Sequence, residues 1–389
     1  MADQRLALRG LYLILFGFLG GQGNYFPLWL ESEGWTDGEI GWLGALRSAC
    51  LIFAPMFWGR IADIDGHTGR VLRITAIGSA IAFLPTLATS DFWIVMASTA
   101  VFNFFREGIV PAADTAAIQH TRRHGGTFGG HRIWGSVGFV IGGFLLAIAV
   151  DVGGRSAIPA VLMGLLLITL LGTERIKVAK EEERKTEGAR QSVLTSDVVR
   201  LMVVILLWRI ASSGVFQFLP LHLGKLGVPD RWVPAYWAAG VISEMALFIY
   251  AERIFGRWSA KSVFLLCLGA AALQSALSVV VESPWVFLGV MTLHGLSFGV
   301  AFYTTVVWLG VLVPKERLAS VQAVLYAVGF GVGGALSSAA SGYLYEHGQG
   351  PWLFGASAGV CALAVIVGAV GLSDRTTFGD AAQGRRSGS

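Results

Sequence analysis

Residues 25 to 34 read YFPLWLESEG, and residues 218 to 227 read FLPLHLGKLG. The two stretches share an aromatic residue, a proline, two leucines and a closing glycine at equivalent positions. A second pair, VGFVIGG at 137 to 143 and VGFGVGG at 328 to 334, recurs at nearly the same spacing. Two independent matches at one spacing indicate a chain built from two similar halves.

The composition indicates that lipid surrounds most of this chain. Of its 389 residues, 54% are hydrophobic and 14% are charged, whereas about 25% are charged in a soluble domain. A helix of about 20 apolar residues crosses the hydrocarbon core of a membrane. The sequence predicts twelve such spans, near residues 6 to 30, 38 to 59, 70 to 89, 92 to 119, 128 to 150, 155 to 172, 198 to 224, 231 to 252, 260 to 281, 284 to 312, 317 to 344 and 351 to 372.

The basic residues predict how the chain crosses the membrane. Arg155, Lys225 and Arg231 lie in loops predicted outside, and most other Lys and Arg residues lie in loops on the opposite side. Because cytoplasmic loops are enriched in Lys and Arg, we expect both termini in the cytoplasm. The first apolar stretch is too long for a signal peptide, so it is predicted to remain as a span. We expect an integral protein of the plasma membrane, which is the inner membrane in bacteria.

The charged runs divide the chain. An N-terminal bundle of six helices is predicted over residues 1–172, and a second bundle of six over 198–372. Residues 173–197, TERIKVAKEEERKTEGARQSVLTSD, form the predicted cytoplasmic linker, and residues 373–389 form a cytoplasmic tail. The predicted fold class is therefore an all-α membrane protein made of two pseudo-symmetric six-helix bundles.

The sequence lacks the motifs that are typical of several classes of protein function. Cys50, Cys267 and Cys361 lie in apolar spans without the spacing of metal ligands, and are predicted to be small hydrophobic packing residues. No glycine-rich run is followed by the lysine of a phosphate-binding loop. We therefore expect no cofactor, no metal site, no enzymatic activity, no nucleic-acid partner and no ATP-driven pumping.

The loop GRIADIDGHTGR at 59 to 70 carries the first family resemblance. Gly59, Asp63, Gly66 and Arg70 match the signature loop of the major facilitator superfamily, and Ile64 departs from it where a basic residue is usual. The resemblance implies twelve transmembrane helices, a functional monomer and a loop that braces the inward gate. It assigns gate roles to Asp63, Gly66 and Arg70.

Span five carries a narrower resemblance. FGGHRIWGSVGF at 128 to 139 is similar to a segment of the phenylpropionate permease branch, which is close to lactose permease and nucleoside proton symporters. PAAD at 111 to 114, Glu244 and LHGLSFG at 293 to 299 are similar to segments of the same branch. The run after Gly138 lacks the proline of the antiporter motif in span five, which favours symport. Its glycines are also typical of close helix packing.

Five charged side chains are predicted deep in spans. A charge near the centre of a bilayer costs about 2.5 to 3.5 kcal/mol on insertion scales, so each needs a partner or a watery cavity. Three deep cations against two anions leave one positive charge unmatched, which an anionic substrate would balance. Arginine suits a carboxylate because its donors form a planar fork. The five are Arg47, Arg106, Glu107, Arg209 and Glu244.

The span-four segment FNFFREGIVPAAD, residues 102 to 114, leads to three predictions. Arg106 and Glu107 are about 100° apart on a helix and are not expected to pair face to face, while Asn103 shares their side. Pro111 is predicted to loosen the backbone. Asp114 and Arg132 are expected to form an ion pair at the inner gate.

These residues lead to a functional hypothesis with open alternatives. We expect a proton-coupled symporter that imports a small organic anion, and an aromatic carboxylate fits. Glu244 is predicted to carry the proton and Glu107 to orient the arginines. An exporter or antiporter, a sugar or nucleoside symporter and a non-transporting receptor remain alternatives, as does a purely structural ion-pair lattice. The predicted substrate-binding residues are Asn24, Arg47, Asn103, Arg106, Arg209, Gln217, His294, Trp134 and Tyr326.

Overall fold

A computed structural model describes residues 2–65, 68–176, 195–373 and 376–382, and these residues are almost entirely helical. Apart from helices, the described part has one isolated antiparallel bridge, between Ser259 and Thr377. The helices are α1 (Ala2–Ser32), α2 (Asp37–Asp65), α3 (Thr68–Phe83), α4 (Phe92–Arg106), α5 (Ile109–His124), α6 (Gly129–Gly153), α7 (Ile158–Thr173), α8 (Ser196–Lys225), α9 (Val233–Phe255), α10 (Ala260–Val280), α11 (Pro284–Met291), α12 (Ala301–Leu312), α13 (Lys315–Tyr326), α14 (Gly334–Gly371) and α15 (Phe378–Ala382).

Within the described ranges, short segments of two other helix types interrupt this order. Two are π-helical, Gly295–Val300 between α11 and α12 and Ala327–Gly333 between α13 and α14. In a π-helix each hydrogen bond joins residues five positions apart. Such segments are rare in proteins, and those that occur often lie at functional sites. Three are 3₁₀ turns, at Leu84–Leu87, Arg155–Ala157 and Asp230–Trp232.

Ten helical segments among the described residues are long and apolar enough to cross a membrane, and the difference from the twelve predicted spans has two causes. The predicted fourth span is divided into α4 and α5, each too short alone. The predicted last two spans form one continuous helical stretch that turns at Gln349, where φ is 53°. The all-α membrane fold is therefore confirmed, with span boundaries that differ.

The described chain forms two compact units. Unit 1 contains residues 1–188 together with Pro229–Pro234, and unit 2 contains Ala189–Val228 and Ala235–Ser389. Most of the predicted linker, residues 177–194, lies outside the described residues. The predicted tail includes α15, whose Phe378 is fully buried. Residues 376–382 of the predicted cytoplasmic tail are therefore packed against unit 2.

The repeated glycines end the first helix of each unit in the same way. Gly34 has φ of 87° and Gly227 has φ of 76°, both in the left-handed region that favours glycine. The next residue closes each turn, since Trp35 N donates to Leu30 O and Val228 N donates to Leu223 O, both at 3.0 Å. This six-residue turn is a common helix ending. The sequence repeat therefore has a structural counterpart.

Glycines also set how α1 crosses α6 in unit 1. A Cβ added at Gly138 would overlap the backbone of Leu13, and one added at Gly142 would overlap the backbone of Gly17. A Cβ at Gly20 would meet the backbone of Phe139 in the same way. The two backbones are therefore in contact, as in other membrane helix pairs with small residues at four-residue spacing. The predicted packing role of the span-five glycines is confirmed.

We expect Gly142→Ala to destabilise unit 1 by about 1–3 kcal/mol, the usual cost of overpacking. The obstacle is backbone rather than a flexible side chain, so the helices must separate. Thermal unfolding of the purified protein in detergent measures the effect. Gly10→Ala is the matched control, because nothing lies within 4 Å of a Cβ at Gly10. Equal melting temperatures for the two variants would contradict the backbone contact.

The cysteines lie where the sequence predicts. All three are buried and unpaired by disulfides. Cys267 and Cys361 belong to the apolar core of unit 2, with Trp208, Phe264 and Phe378 among its members. They act as small packing residues.

Candidate functional site

Unit 1 holds a cluster of charges at the end of α4. Arg106 is 5% exposed, and its guanidinium pairs with the carboxylate of Glu107. Its Nε also donates to Asn103 Oδ1 at 3.2 Å, while Asn103 Nδ2 donates to Thr99 O at 2.8 Å. Arg47 on α2 interacts electrostatically with both Arg106 and Glu107. The cluster therefore contains two cations and one anion.

The predicted separation of Arg106 from Glu107 is wrong. Helix α4 ends at Arg106, Glu107 is its capping residue, and α5 begins two residues later. Pro111 lacks a backbone N–H, which leaves the carbonyl four residues earlier without its helical partner. Because the helix ends here, the two long side chains turn toward each other. Arg47 forms no ion pair within 4 Å in the described part of the chain, and the carboxylate of Glu107 acts on it electrostatically.

A second cluster in unit 1 surrounds Asp114. The hydroxyl of Tyr12 donates to Asp114 Oδ1 at 2.5 Å. The guanidinium of Arg132 lies 4.1 Å from the centre of the Phe16 ring and 6.0 Å from that of Tyr12. Arg132 acts on Asp114 electrostatically, but no ion pair forms within 4 Å between these described residues. The expected direct ion pair is thus replaced by a tyrosine hydrogen bond and a cation–π contact.

Unit 2 holds a buried arginine of a different kind. Arg209 on α8 is 6% exposed, and its donors reach Ser213 Oγ at 2.7 Å and Ser212 Oγ at 3.3 Å. Its Nε is buried without a hydrogen-bond partner. Among the described residues no carboxylate lies within ion-pair distance of Arg209. Burying a guanidinium with only hydroxyl partners costs free energy, unless an anion binds beside it and balances its charge.

Aromatic rings surround Arg209. Its guanidinium lies 4.2 Å from the centre of Phe330 and 5.6 Å from that of Phe298. The ring of Phe298 stacks on His294 at 5.1 Å with planes 6° apart, and on Phe302 at 6.2 Å. Phe302 in turn stacks on Tyr326 at 6.1 Å. The flat faces of these rings are suited to a planar ligand beside the cation.

A histidine near this arginine lies beside an acid. His294 Nε2 is 3.9 Å from Glu244 Oε2, and His294 is 4% exposed. Arg209 is close enough to His294 to act on it electrostatically. A Cβ added at Gly299 would collide with Glu244, and one at Gly240 would crowd His294. These glycines let α9 and the π-helical segment approach closely enough for the two side chains to meet.

Both units contain a cation–π contact, but the helix that carries the cation in one unit corresponds to the helix that carries the ring in the other. In unit 1 the cation is Arg132 on α6 and the ring is Phe16 on α1. In unit 2 the cation is Arg209 on α8, the repeat counterpart of α1, and the ring is Phe330 in the π-helical segment. Gly333 makes room for this arginine, since an added Cβ would lie 3.1 Å from Arg209 Cβ. The geometries are similar, with ring distances of 4.1 and 4.2 Å.

The remaining predicted site residues include one member of the ring stack, Tyr326. Asn24 is buried on α1, where its Nδ2 donates to Gly20 O at 2.6 Å and lies against Gly143. Gln217 is half-buried on α8, and Trp134 is exposed on α6. Tyr326 accepts from Gln322 Nε2 at 3.2 Å beside the ring stack. Gly66 and the side chain of Asp63 lie outside the described residues, and Arg70 is exposed on α3.

The structure adds site residues that the sequence did not single out. Ser212 and Ser213 follow Arg209 by three and four positions, so helical spacing could have revealed them. Phe298 and Phe302 follow His294 at four-residue steps, another readable pattern. Phe330 meets Arg209 from a different helix, and no local pattern predicts that contact. Phe216 and Trp237 also face the His294 ring.

A further polar cluster in unit 1 is centred on Arg155. Its Nε and Nη2 donate to the two carboxylate oxygens of Asp230 at 2.7 and 3.0 Å. Its Nη1 donates to Glu31 Oε2 at 2.8 Å and to Leu28 O at 3.3 Å. Tyr25 OH donates to the backbone oxygen of Asp230 at 2.8 Å. This network fastens the segment Pro229–Pro234 within unit 1.

We expect Arg155→Ala to lower the stability of the protein by about 1 kcal/mol. The guanidinium and both carboxylates are only partly buried, so solvent screens much of the interaction. Thermal unfolding at low and high salt measures it, and the loss should shrink in about 1 M salt. Arg231→Ala, an exposed neighbour of Asp230, is the control. A loss of equal size in both variants would contradict a specific role for the Arg155 network.

Comparison with known proteins identifies related chains. A model of the MFS_1 like family matches residues 5–356. The maltose permease of Geobacillus stearothermophilus is 30% identical over 379 residues, which cover 92% of this chain and 90% of that protein. A protein of Escherichia coli K12 named as a probable 3-phenylpropionic acid transporter is 25% identical over 351 residues, 87% of this chain and 91% of the relative.

A solved structure shows a similar fold. A mutant form of the nucleoside transporter NupG superposes with a TM-score of 0.85 and covers 95% of this chain and 100% of its own. The sequence identity is 16%, so the likeness concerns the fold and not the ligand.

Proposed function

Because the chain belongs to the MFS_1-like family of major facilitator transporters, we propose that it is a proton-coupled symporter that imports a small organic anion. It is an integral membrane protein whose relatives are transporters rather than enzymes. In this proposal both termini are cytoplasmic, the functional unit is a monomer, and residues 1–172 and 198–372 act as two bundles that expose the substrate alternately to each side.

One observation supports the proposal that the substrate is an anion. Arg209 is buried in unit 2 with hydroxyl partners but no carboxylate among the described residues. Burying an isolated charge is strongly unfavourable, so an anionic ligand would stabilise this arrangement. The planar guanidinium suits a carboxylate, and the adjacent stacked rings suit an aromatic body. Arg47 in unit 1, which forms no ion pair within 4 Å among the described residues, is a second candidate for an anion contact.

The same neighbourhood supports a proton site. Glu244 meets His294, whose charge depends on its own protonation. Glu107 is instead paired with Arg106, so protonating Glu107 would break an ion pair. We therefore assign the proton to Glu244 with His294 beside it, and assign Glu107 to hold Arg106 in place. Asn24, Asn103, Gln217, Trp134 and Tyr326 are proposed as accessory substrate contacts.

The proposed inner gate combines two parts of unit 1. Asp63, Gly66 and Arg70 belong to the segment 59–70, which resembles the superfamily signature loop. Asp63 lies at the end of α2 and Arg70 at the start of α3, so both ends of this predicted loop are helical. Asp114 and Arg132 lie together with Tyr12 and Phe16. In the proposal the loop braces the closed state, while the Asp114 cluster holds α1, α5 and α6 together.

Uptake into proteoliposomes tests the function. The panel contains 3-phenylpropionate, a benzoate, maltose and a nucleoside, each with and without an imposed inward pH gradient. Gradient-driven accumulation of an aromatic carboxylate supports the proposal. Accumulation in the opposite direction would indicate an antiporter. Absence of flux for every compound, in protein that melts cooperatively, would favour a receptor.

Sugar symport is the second candidate, and one finding favours it. The maltose permease relative is 30% identical across nearly the whole chain, and aromatic faces also stack on sugars. Competition separates the two functions. An unlabelled aromatic carboxylate should block uptake of a carboxylate tracer, whereas excess maltose should not.

A further inference from the structure

The described part of the C-terminal tail forms backbone hydrogen bonds with the loop between α9 and α10. Ala260 N donates to Thr376 O at 2.9 Å, and Phe378 N donates to Trp258 O at 2.8 Å. Gly379 N donates to Gly256 O at 3.1 Å. The pairing is that of a short added strand, in which main-chain hydrogen bonds provide the attachment.

One aromatic side chain anchors this segment. Phe378 is fully buried and lies edge-on to Phe255 at the end of α9, with centroids 6.2 Å apart. It also lies 5.6 Å from the ring of Tyr303 on α12. Tyr303 OH donates to Glu252 on α9 at 3.3 Å. Phe378 therefore joins the core that contains the ends of α9 and α12.

The segment has its own structural support. Thr377 caps α15, since Asp380 N donates to Thr377 Oγ1 at 3.1 Å and Thr377 Oγ1 donates to Asp380 Oδ2 at 2.6 Å. Such a cap fixes the start of a helix, and a hydroxyl at this position is worth about 1 kcal/mol. Gly379 is required by contact, because an added Cβ would lie 2.9 Å from Gly256 O. The segment TTFGD thus supplies the helix cap, the buried ring and the glycine that this attachment requires.

The place of attachment connects the segment with the transport machinery. The last turn of α9 contains Arg253-Ile254, the repeat counterpart of Arg60-Ile61 in the segment 59–70 of the first half. Helix α9 carries Glu244, and the π-helical segment that leads into α12 begins directly after His294. A segment that ties α9 to α12 therefore restrains the helix that carries Glu244 and the helical stretch that follows His294.

We propose that residues 376–382 form an intramolecular strap, which binds the α9–α10 loop and limits movement of α9 against α12. The surface of the α9–α10 loop is thus covered by a segment of the same chain. Its release frees the end of unit 2 and speeds the conformational cycle. The strap itself does not depend on the identity of the substrate.

Hydrogen–deuterium exchange on the full chain tests the strap. In the native protein, peptides covering 252–261 and 376–382 should be protected. In Phe378→Ala their exchange should be at least tenfold faster, and peptide 301–312 should also exchange faster, while 196–225 is unchanged. Val370→Ala, an exposed side chain near the end of α14, is the control and should match the native protein. Unprotected exchange at 376–382 in the native chain would overturn the strap.

A second measurement tests the restraint. Substrate exchange per folded transporter should rise at least twofold in Phe378→Ala and less in Thr377→Ala, which loses only the helix cap. Thr377→Ala also keeps the test valid if Phe378→Ala does not fold. Loss of protection at 376–382 without any change in the exchange rate would refute the restraint while leaving the symporter proposal intact.

Discussion

Replacing Arg209 by alanine is expected to weaken substrate binding about 100-fold and to abolish measurable uptake. Removing one partner of a buried charged pair costs about 2–5 kcal/mol, and tenfold in affinity corresponds to about 1.4 kcal/mol. Arg209→Lys keeps the charge but loses the fork and the flat contact with Phe330. We therefore expect an intermediate loss for lysine. Titration of the best-transported compound of the panel, followed by intrinsic tryptophan fluorescence, measures both.

A matched control lies on the same helix. Arg200 is exposed on α8 and pairs only with nearby Asp197 among the described residues, so Arg200→Lys should bind substrate like the native protein. Ser213→Ala removes the 2.7 Å hydrogen bond to Arg209 and should weaken binding by less than the arginine variants do. Native affinity in Arg209→Ala would exclude Arg209 as the anion site, and Arg47 would replace it.

Replacing Glu244 by glutamine should abolish accumulation driven by a pH gradient while preserving substrate exchange. Glutamine keeps the shape of the side chain and an oxygen that can lie near His294, but it cannot gain or lose a proton in this range. Exchange of substrate across the membrane needs no net deprotonation, so it should continue. The measurement is uptake against a gradient beside counterflow without one, in the same proteoliposomes.

Two other acids complete that comparison. Glu107→Gln removes the partner of Arg106 and should weaken binding and exchange together, since it disturbs a cation rather than the proton step. Glu282→Gln, at an exposed position after α10, should leave both unchanged. If Glu244→Gln still concentrates substrate in response to the gradient, the carrier is a different acid and Glu107 becomes the first candidate.

The fold was largely predictable because membranes impose long apolar helices and because the repeat is written in the sequence. Gly34 and Gly227 were recognised as equivalent from their surroundings, and both adopt the left-handed conformation. Arg209 and His294 were recognised as candidates because charge is costly in lipid. These are local or compositional signals, and each could be read without knowledge of tertiary contacts.

The remaining details depend on contacts between distant residues or on the ends of helices. Arg106 and Glu107 pair because α4 ends between them, which helical geometry alone did not indicate. Asp114 pairs with Tyr12, 102 positions away. The docking of Phe378 was missed because a short polar tail gives no sign of a buried ring. The two halves of the repeat resemble each other in the positions of their glycines more than in their charges.

The cation–π contact has its cation on α6 in unit 1 but on α8, the counterpart of α1, in unit 2, and this difference has an evolutionary consequence. After a gene duplication, the two copies of the helix crossing would begin with the same glycines and the same space beside them. In one copy Gly138 and Gly142 bring two backbones together, while in the other Gly333 accommodates the stem of Arg209. A descendant could therefore acquire a buried charge on the first helix of one half by a few substitutions, without rebuilding the crossing. Symmetry would then persist in the backbone long after the halves had divided their chemical work.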